Sequence, residues 1–304
     1  MLECGLIIRS HGRDTATRFL STSSFYPPSA GCRSWTPLDA RHGRILFCHD
    51  PVRSNPARKE LIVWSPATGD VRTLPKQWIP NSFCSYWNAA LLCEMPGCDH
   101  MECPSNGPFS VVLVGRTTFE AFTYAYVYSS AADEWSQQAS IQLAGYVVEQ
   151  GRCACSALVQ NALYFLLDGN TGMLEYDLAK KELSFISLPT ICRVSTTIAL
   201  MSVEDKGLGF AMLKVVDLKG FLPVSALSSS PYIVAAAEAV GVFVIWAGNA
   251  RVRAIDLKSG RAWKVSDADA HTVKIIPFMS FCTPALRAAA SIDDGPSTVA
   301  SNNV

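Results

Sequence analysis

The stretch Leu61-Ile62-Val63-Trp64-Ser65-Pro66-Ala67-Thr68-Gly69-Asp70-Val71-Arg72 passes from an apolar strand, through a small polar residue and a turn, into a strand that resumes with valine. Thr68-Gly69 suits that turn because glycine tolerates positive φ. The same order of features returns along the chain. Ala125-Tyr126-Val127-Tyr128-Ser129-Ser130-Ala131-Ala132-Asp133-Glu134-Trp135 is a second copy, and Met173-Leu174-Glu175-Tyr176-Asp177-Leu178-Ala179-Lys180-Lys181-Glu182-Leu183 a third. Lys214-Val215-Val216-Asp217-Leu218-Lys219 is a partial fourth, and Val252-Arg253-Ala254-Ile255-Asp256-Leu257-Lys258-Ser259-Gly260-Arg261-Ala262-Trp263 closes the series.

Trp64, Tyr128, Tyr176, Val216 and Ile255 hold the same place in these copies, at separations of 64, 48, 40 and 39 residues. Those intervals straddle the roughly 40 to 50 residues of a propeller blade. A four-stranded blade cannot bury both faces alone, so similar blades stack round an axis and each needs a turn at a fixed place. The long first interval leaves room for an inserted loop around Cys93 to Pro108. Elsewhere too, short runs of Val, Ile, Leu, Phe and Tyr alternate with turn signals, and helical periodicity is almost absent before Pro284. The class is all-β. A β-sandwich with accidentally similar hairpins is the alternative.

Composition narrows the function classes. Of 304 residues, 49% are hydrophobic and 17% charged, below the roughly 25% of an average globular chain. Lys+Arg and Asp+Glu both number 26, which argues against a nucleic-acid partner, because phosphate backbones are gripped by surplus positive charge. The apolar run Tyr232 to Ala247 is interrupted by Glu238 and Gly241 and is too short for a membrane span of about 20 residues. Two buried strands around a turn are expected there, and no membrane partner. Eleven cysteines are too few for a disulfide scaffold and odd in number, and Met1 to Arg13 lacks a secretory h-region. Reduced thiols and a cytoplasmic or nuclear location are expected.

Several clusters invite a chemical reading. Cys98, His100 and Cys103 offer thiolate and imidazole ligands within six residues, beside Cys93, but no second ligand pair accompanies them. They remain weak metal candidates against an exposed loop, and no metal or other cofactor is expected. Cys153 and Cys155 share one strand face at a spacing that redox Cys-x-x-Cys motifs do not use, so core packing is expected. His42, between Asp39-Ala40-Arg41 and Gly43-Arg44, has neither a nucleophile elbow nor a phosphate loop nearby and reads as the turn before Ile45-Leu46-Phe47-Cys48. His11, His49 and His271 stand alone. Trp78, Phe83, Tyr86 and Trp87 form either a partner-binding patch or core. No catalytic residue is assigned.

The ordered string of motifs resembles the F-box-associated β-propeller proteins abundant in grasses and other plants. The matching residues span about 19 to 284. Phe19-Leu20 to Pro27-Pro28 and Leu38 to Leu46 look like that family's first blade, and Leu61 to Gly69 with Leu74-Pro75 its first hairpin, Ser65 replacing the usual acid. Leu92-Cys93, Gly97-Cys98-Asp99-His100, Cys103 and Gly107-Pro108-Phe109 look like its loop. Val127-Tyr128-Ser129-Ser130, Ala162 to Phe165, Leu174 to Leu178 and Pro277 to Pro284 continue the match.

The resemblance implies a kelch-like β-propeller over 25–284, with an irregular N-terminal arm over 1–24 and a disordered tail over 285–304. One blade is expected to be incomplete, because Met212-Leu213-Lys214 runs straight into Val215 where the family places another hairpin. The implied function is non-catalytic recognition of a protein substrate, as in the receptor of an SCF-type ubiquitin ligase. Residues 1 to 24 carry no F-box-like helical pattern, so uncoupling from the Skp-type adaptor and cullin is expected. The contrasting reading is a propeller-fold hydrolase or oxidoreductase with an axial site, which requires several Asp, Glu, His or Arg side chains to converge on the axis.

Overall fold

A computed structural model describes residues 2–10, 16–21, 32–49, 59–76, 87–95, 107–116, 121–143, 156–167, 171–188, 199–203, 207–211, 232–237, 242–246, 252–256, 259–266 and 273–281. Among these the regular elements are antiparallel strands and the 3-10 turn Cys32–Ser34, with Lys76 also in 3-10 conformation. β1 (Leu2–Ser10) and β2 (Ala16–Ser21) precede that turn. The first sheet follows in chain order: β3 (Trp35–Arg41), β4 (Arg44–His49), β5 (Glu60–Trp64) and β6 (Val71–Thr73). The second is β7 (Trp87–Cys93), β8 (Phe109–Arg116), β9 (Phe122–Ser129) and β10 (Glu134–Gln142). The third is β11 (Ala157–Val159), β12 (Ala162–Leu166), β13 (Gly172–Asp177) and β14 (Glu182–Ser187).

The fourth sheet contains β15 (Ala199–Val203) and β16 (Gly207–Ala211) among the described residues. The shortened hairpin expected from residue 212 onward lies outside them. The fifth is β17 (Tyr232–Ala237), β18 (Val242–Trp246), β19 (Val252–Asp256) and β20 (Arg261–Ser266), so the described part of the apolar run at 232–247 is two antiparallel strands, as expected. The sixth joins the chain ends. Its order is β2-β1-β21, with β21 (Val273–Phe281) antiparallel to β1 in the register Ile7↔Ile276.

The sheets follow one another round a closed ring, mostly through their leading strands: β21 lies against β3, β3 against β7, β11 against β15, β15 against β17, and β17 against β21. The second and third sheets touch through β10 and β14. This is a β-propeller, and its core shows why two stacked layers are excluded. In β4, Ile45 and Phe47 pack with Ile276 and Phe278 of the sixth sheet, whereas Leu46 and Cys48 pack with Trp87 and Leu91 of the second. In β8, Val111 and Leu113 face the first sheet, while Val112 and Val114 pack with Leu163 and Phe165 of the third. Alternate residues therefore enter two different cores, as period-2 strands must when both faces are covered.

The recurring unit is the hairpin between the third and fourth strands of a sheet. Trp64, Tyr128, Tyr176 and Ile255 lie at or near the ends of β5, β9, β13 and β19, and all four are buried. Five residues further on, Gly69, Asp133, Lys181 and Gly260 have φ of 81°, 55°, 58° and 69°. Each hairpin thus turns left-handed at one place, with glycine in two copies and a strained residue in two. In two copies the aspartate after the marker caps the turn: Asp177 Oδ1 accepts from Ala179 N at 3.0 Å and Lys180 N at 2.9 Å, and Asp256 Oδ1 from Ser259 N at 3.3 Å.

The N-terminal segment departs from expectation. Within the expected irregular arm of 1–24, residues 2–10 and 16–21 are strands instead: β1 and β2 build the outer part of the sixth sheet and close the ring. The strand pattern is obscured by Arg9, a charged residue at a buried position, whose Nη1 donates to Thr17 Oγ1 at 3.1 Å and Trp35 O at 2.6 Å. The tail at 285–304 lies outside the described residues.

Candidate functional site

Two places gather polar groups. The first is the axis, onto which the leading strands open. A register shift between Pro37 and Asp39 interrupts the β3–β4 ladder where proline cannot donate a hydrogen bond. Just beyond it, the buried Asp39 Oδ2 accepts from Leu91 N of β7 at 2.7 Å and from Arg41 Nη1 at 2.7 Å. Arg41 also crosses to the third sheet, donating from Nη1 to Ser156 Oγ at 2.8 Å and from Nη2 to Ser156 O. Burial pushes the Asp39 carboxyl above its ordinary range, against the opposing pull of Arg41, the Leu91 and Ala40 N–H groups and the buried Lys274 of β21. Four sheets thus contribute to one network. Asp39 is the one carboxylate on the leading strands among the described residues.

The second place is a cleft of about 350 Å³ between the first and second sheets, where the β5–β6 turn faces the β9–β10 turn. Arg44, Ser65, Asp70, Val71 and Arg72 line one side; Gly107, Pro108, Phe109, Ser130 and Ala131 line the other. Arg44 is buried: its Nη2 donates to Gly107 O, and its guanidinium lies 5.0 Å from the Phe109 ring centroid. Arg72, half-exposed, lies 5.8 Å from the Phe109 centroid and 5.8 Å from that of Tyr128. Its Nη2 donates to Asp133 Oδ1 at 2.9 Å and Ser130 O at 3.2 Å.

The cleft walls are pinned. Tyr128 OH donates to Asp133 Oδ1 at 2.8 Å, and Phe109 N to Ser130 Oγ at 2.7 Å. Burial and the Asp133 carboxylate push the Tyr128 phenol up to about 12, while the Tyr128 hydroxyl and then Arg72 hold Asp133 below the usual carboxylate range. Glu94 N donates to Pro108 O at 3.1 Å, which clamps the base of the inserted loop beside the cleft. Trp135 Nε1 donates to Pro75 O at 3.1 Å and ties β10 to the end of the first sheet.

The residues singled out in the sequence fall mostly elsewhere. Cys98, His100 and Cys103 lie outside the described residues, as do Cys153, Cys155, His11, His271, Trp78, Phe83 and Tyr86. Cys93 ends β7 as a half-buried thiol, and neither it nor Cys32 or Cys48 is in a disulfide. His42 and Gly43, with φ of 54° and 69°, form the two-residue turn between β3 and β4, as expected. His49 Nδ1 lies 3.5 Å from Glu60 Oε2, beside Lys76. Trp87 belongs to the core between the first two sheets. Arg72 and Asp133 sit inside the quoted repeats, but the sequence does not reveal that the two hairpins face each other.

No protein-family model and no curated protein matches the chain. Solved structures similar to it include TolB from Acinetobacter baumannii, with a TM-score of 0.46 and 9% identity, covering 91% of this chain and 66% of that one. A GH93 alpha-L-arabinofuranosidase of Fusarium graminearum in complex with arabinobiose is similar at a TM-score of 0.40 and 12% identity, covering 79% of this chain and 82% of that one. The chain thus spans about two thirds of the length of the TolB chain. The ring rests on the chain's own sheet contacts. Among the described residues no helix is long and apolar enough to cross a membrane.

Proposed function

We propose that this chain is a non-catalytic recognition propeller that holds a protein partner on its rim. The observation that carries this reading is the use of Arg41 and Asp39, which bind each other, Leu91 N and Ser156 and so tie the first three sheets together. Polar groups at the axis act as pins between sheets, while the open cleft between the first two sheets presents a guanidinium, hydroxyls and apolar surface. Arginine and aromatic side chains in a desolvated recess are the usual anchors of protein contacts. Following the resemblance of the hairpin string, the partner is a protein of the kind that the substrate-binding part of an SCF-type ubiquitin ligase receptor holds, in the cytoplasm or nucleus.

Proximity labelling with the full chain in native tissue tests the proposal. A small protein set recovered reproducibly above a labelling-enzyme control is the expected result. Adaptor and cullin in that set would mark coupling to ubiquitination; their absence, with the partners retained, would mark a free-standing binder. Recovery of no protein above the control, together with turnover of chromogenic ester or glycoside substrates by the purified chain, contradicts the reading.

A further inference from the structure

We propose that the cleft between the first and second sheets seats an acidic side chain of a peptide segment of the partner, with Arg72 as its principal contact. This deepens the recognition reading and rests on it.

The guanidinium is held in place before any ligand arrives. It lies against the Phe109 and Tyr128 rings, and its two hydrogen bonds, to Ser130 O and Asp133 Oδ1, both come from Nη2. Nε and Nη1 make no hydrogen bond among the described residues; each pairs with Nη2 on one edge of the guanidinium, so an incoming carboxylate meets one open donor and completes a planar fork by displacing Asp133 from Nη2. Arg72 keeps 41% of its side chain exposed and Asp133 keeps 64%, so the existing pair is solvated and readily exchanged.

Other features of the recess fit such a ligand. Buried Arg44 adds a second positive charge to the wall. Asp70, the carboxylate that lines the cleft, accepts from Thr68 Oγ1 at 2.6 Å within its own turn. Val71, 47% exposed, and Pro108 supply apolar surface for the neighbouring peptide residues. The volume of about 350 Å³ is enough for a side chain and its flanks, not for a folded element.

The test selects phage-displayed random dodecapeptides on the purified full chain. The enriched consensus is then synthesised with Glu, phosphoserine or Gln at its acidic position, and Kd is measured by fluorescence anisotropy. An Asp or Glu in the consensus is expected, with the Gln peptide bound about 10-fold more weakly. Arg72→Gln is expected to abolish the preference for Glu over Gln. Asp133→Asn should tighten the Glu peptide several-fold. Asn keeps an acceptor for Tyr128 and tolerates the φ of 55°, but removes the competing charge. A merely structural Asp133 would give no such gain, and this arm decides the matter if Arg72→Gln fails to fold. Tighter binding of the phosphoserine peptide would assign the anion to a phosphorylated partner. A consensus without an acid, no consensus at all, or equal binding of the Glu and Gln peptides overturns the proposal. Any of these results leaves the recognition reading to the labelling experiment.

Discussion

At the scale of single residues, the backbone conformation shared by Gly69, Asp133, Lys181 and Gly260 matters more than their side chains. A left-handed φ costs a residue with a Cβ about 1–2 kcal/mol, and glycine escapes that cost. Nothing lies within 4 Å of a Cβ built on Gly260, so its replacement would meet no steric obstacle beyond the backbone itself. Gly260→Ala is therefore expected to destabilise the chain by about 1 kcal/mol. Lys181→Gly should offset its own strain by a few tenths of that, although Lys181 N and its bond to Asp177 O at 2.8 Å are untouched. Urea melts of the two variants check the pair. Changes of the same sign would mean that the turns are not equivalent.

At the scale of elements, the hairpins are legible in the sequence because their markers are large, buried and regularly spaced, and because an aspartate after the marker caps the turn through its side chain in two of them. The leading strands are less legible. β3 carries Pro37 and a register shift, and β11 is three residues long, so neither shows a clean alternation. β1 escapes the pattern because Arg9 occupies an inward position, where its Nη1 is held by Thr17 Oγ1 and Trp35 O, partners that no local pattern reveals. The cleft is invisible for a related reason: Arg72 meets Asp133 across 61 residues of chain. Burial on both faces has a direct consequence in β4. Leu46 and Phe47 are adjacent, point to opposite sides and are each 0% exposed. Leu46→Ala and Phe47→Ala are each expected to cost about 2–5 kcal/mol in chemical denaturation. A loss confined to one of them would place the other face in solvent, as in a sandwich.

At the scale of the molecule, the ring is closed by pairing the beginning of the chain with its end. β1 carries Ile7 into the core shared with Ile45, Trp64 and Phe278, so the N-terminal strands, as part of the sixth sheet, cover apolar surface of the first sheet that would otherwise meet water. This joint holds the sheets in a fixed order and keeps the first and second sheets, with the cleft between them, in register. It is also the joint on which the account depends, because an open stack of sheets or a two-layer sandwich does not require it. The β1–β21 register sets Cys4 opposite Met279. Opposed residues of antiparallel strands lie about 4.5–5.5 Å apart at Cα, within the range a disulfide spans. The most direct measurement is peptide mapping by mass spectrometry of the Met279→Cys chain after mild oxidation of the folded protein. A disulfide between Cys4 and the introduced thiol, absent when oxidation follows unfolding in denaturant, is the expected result; a folded chain in which the introduced thiol remains free or pairs with another cysteine contradicts the closed ring.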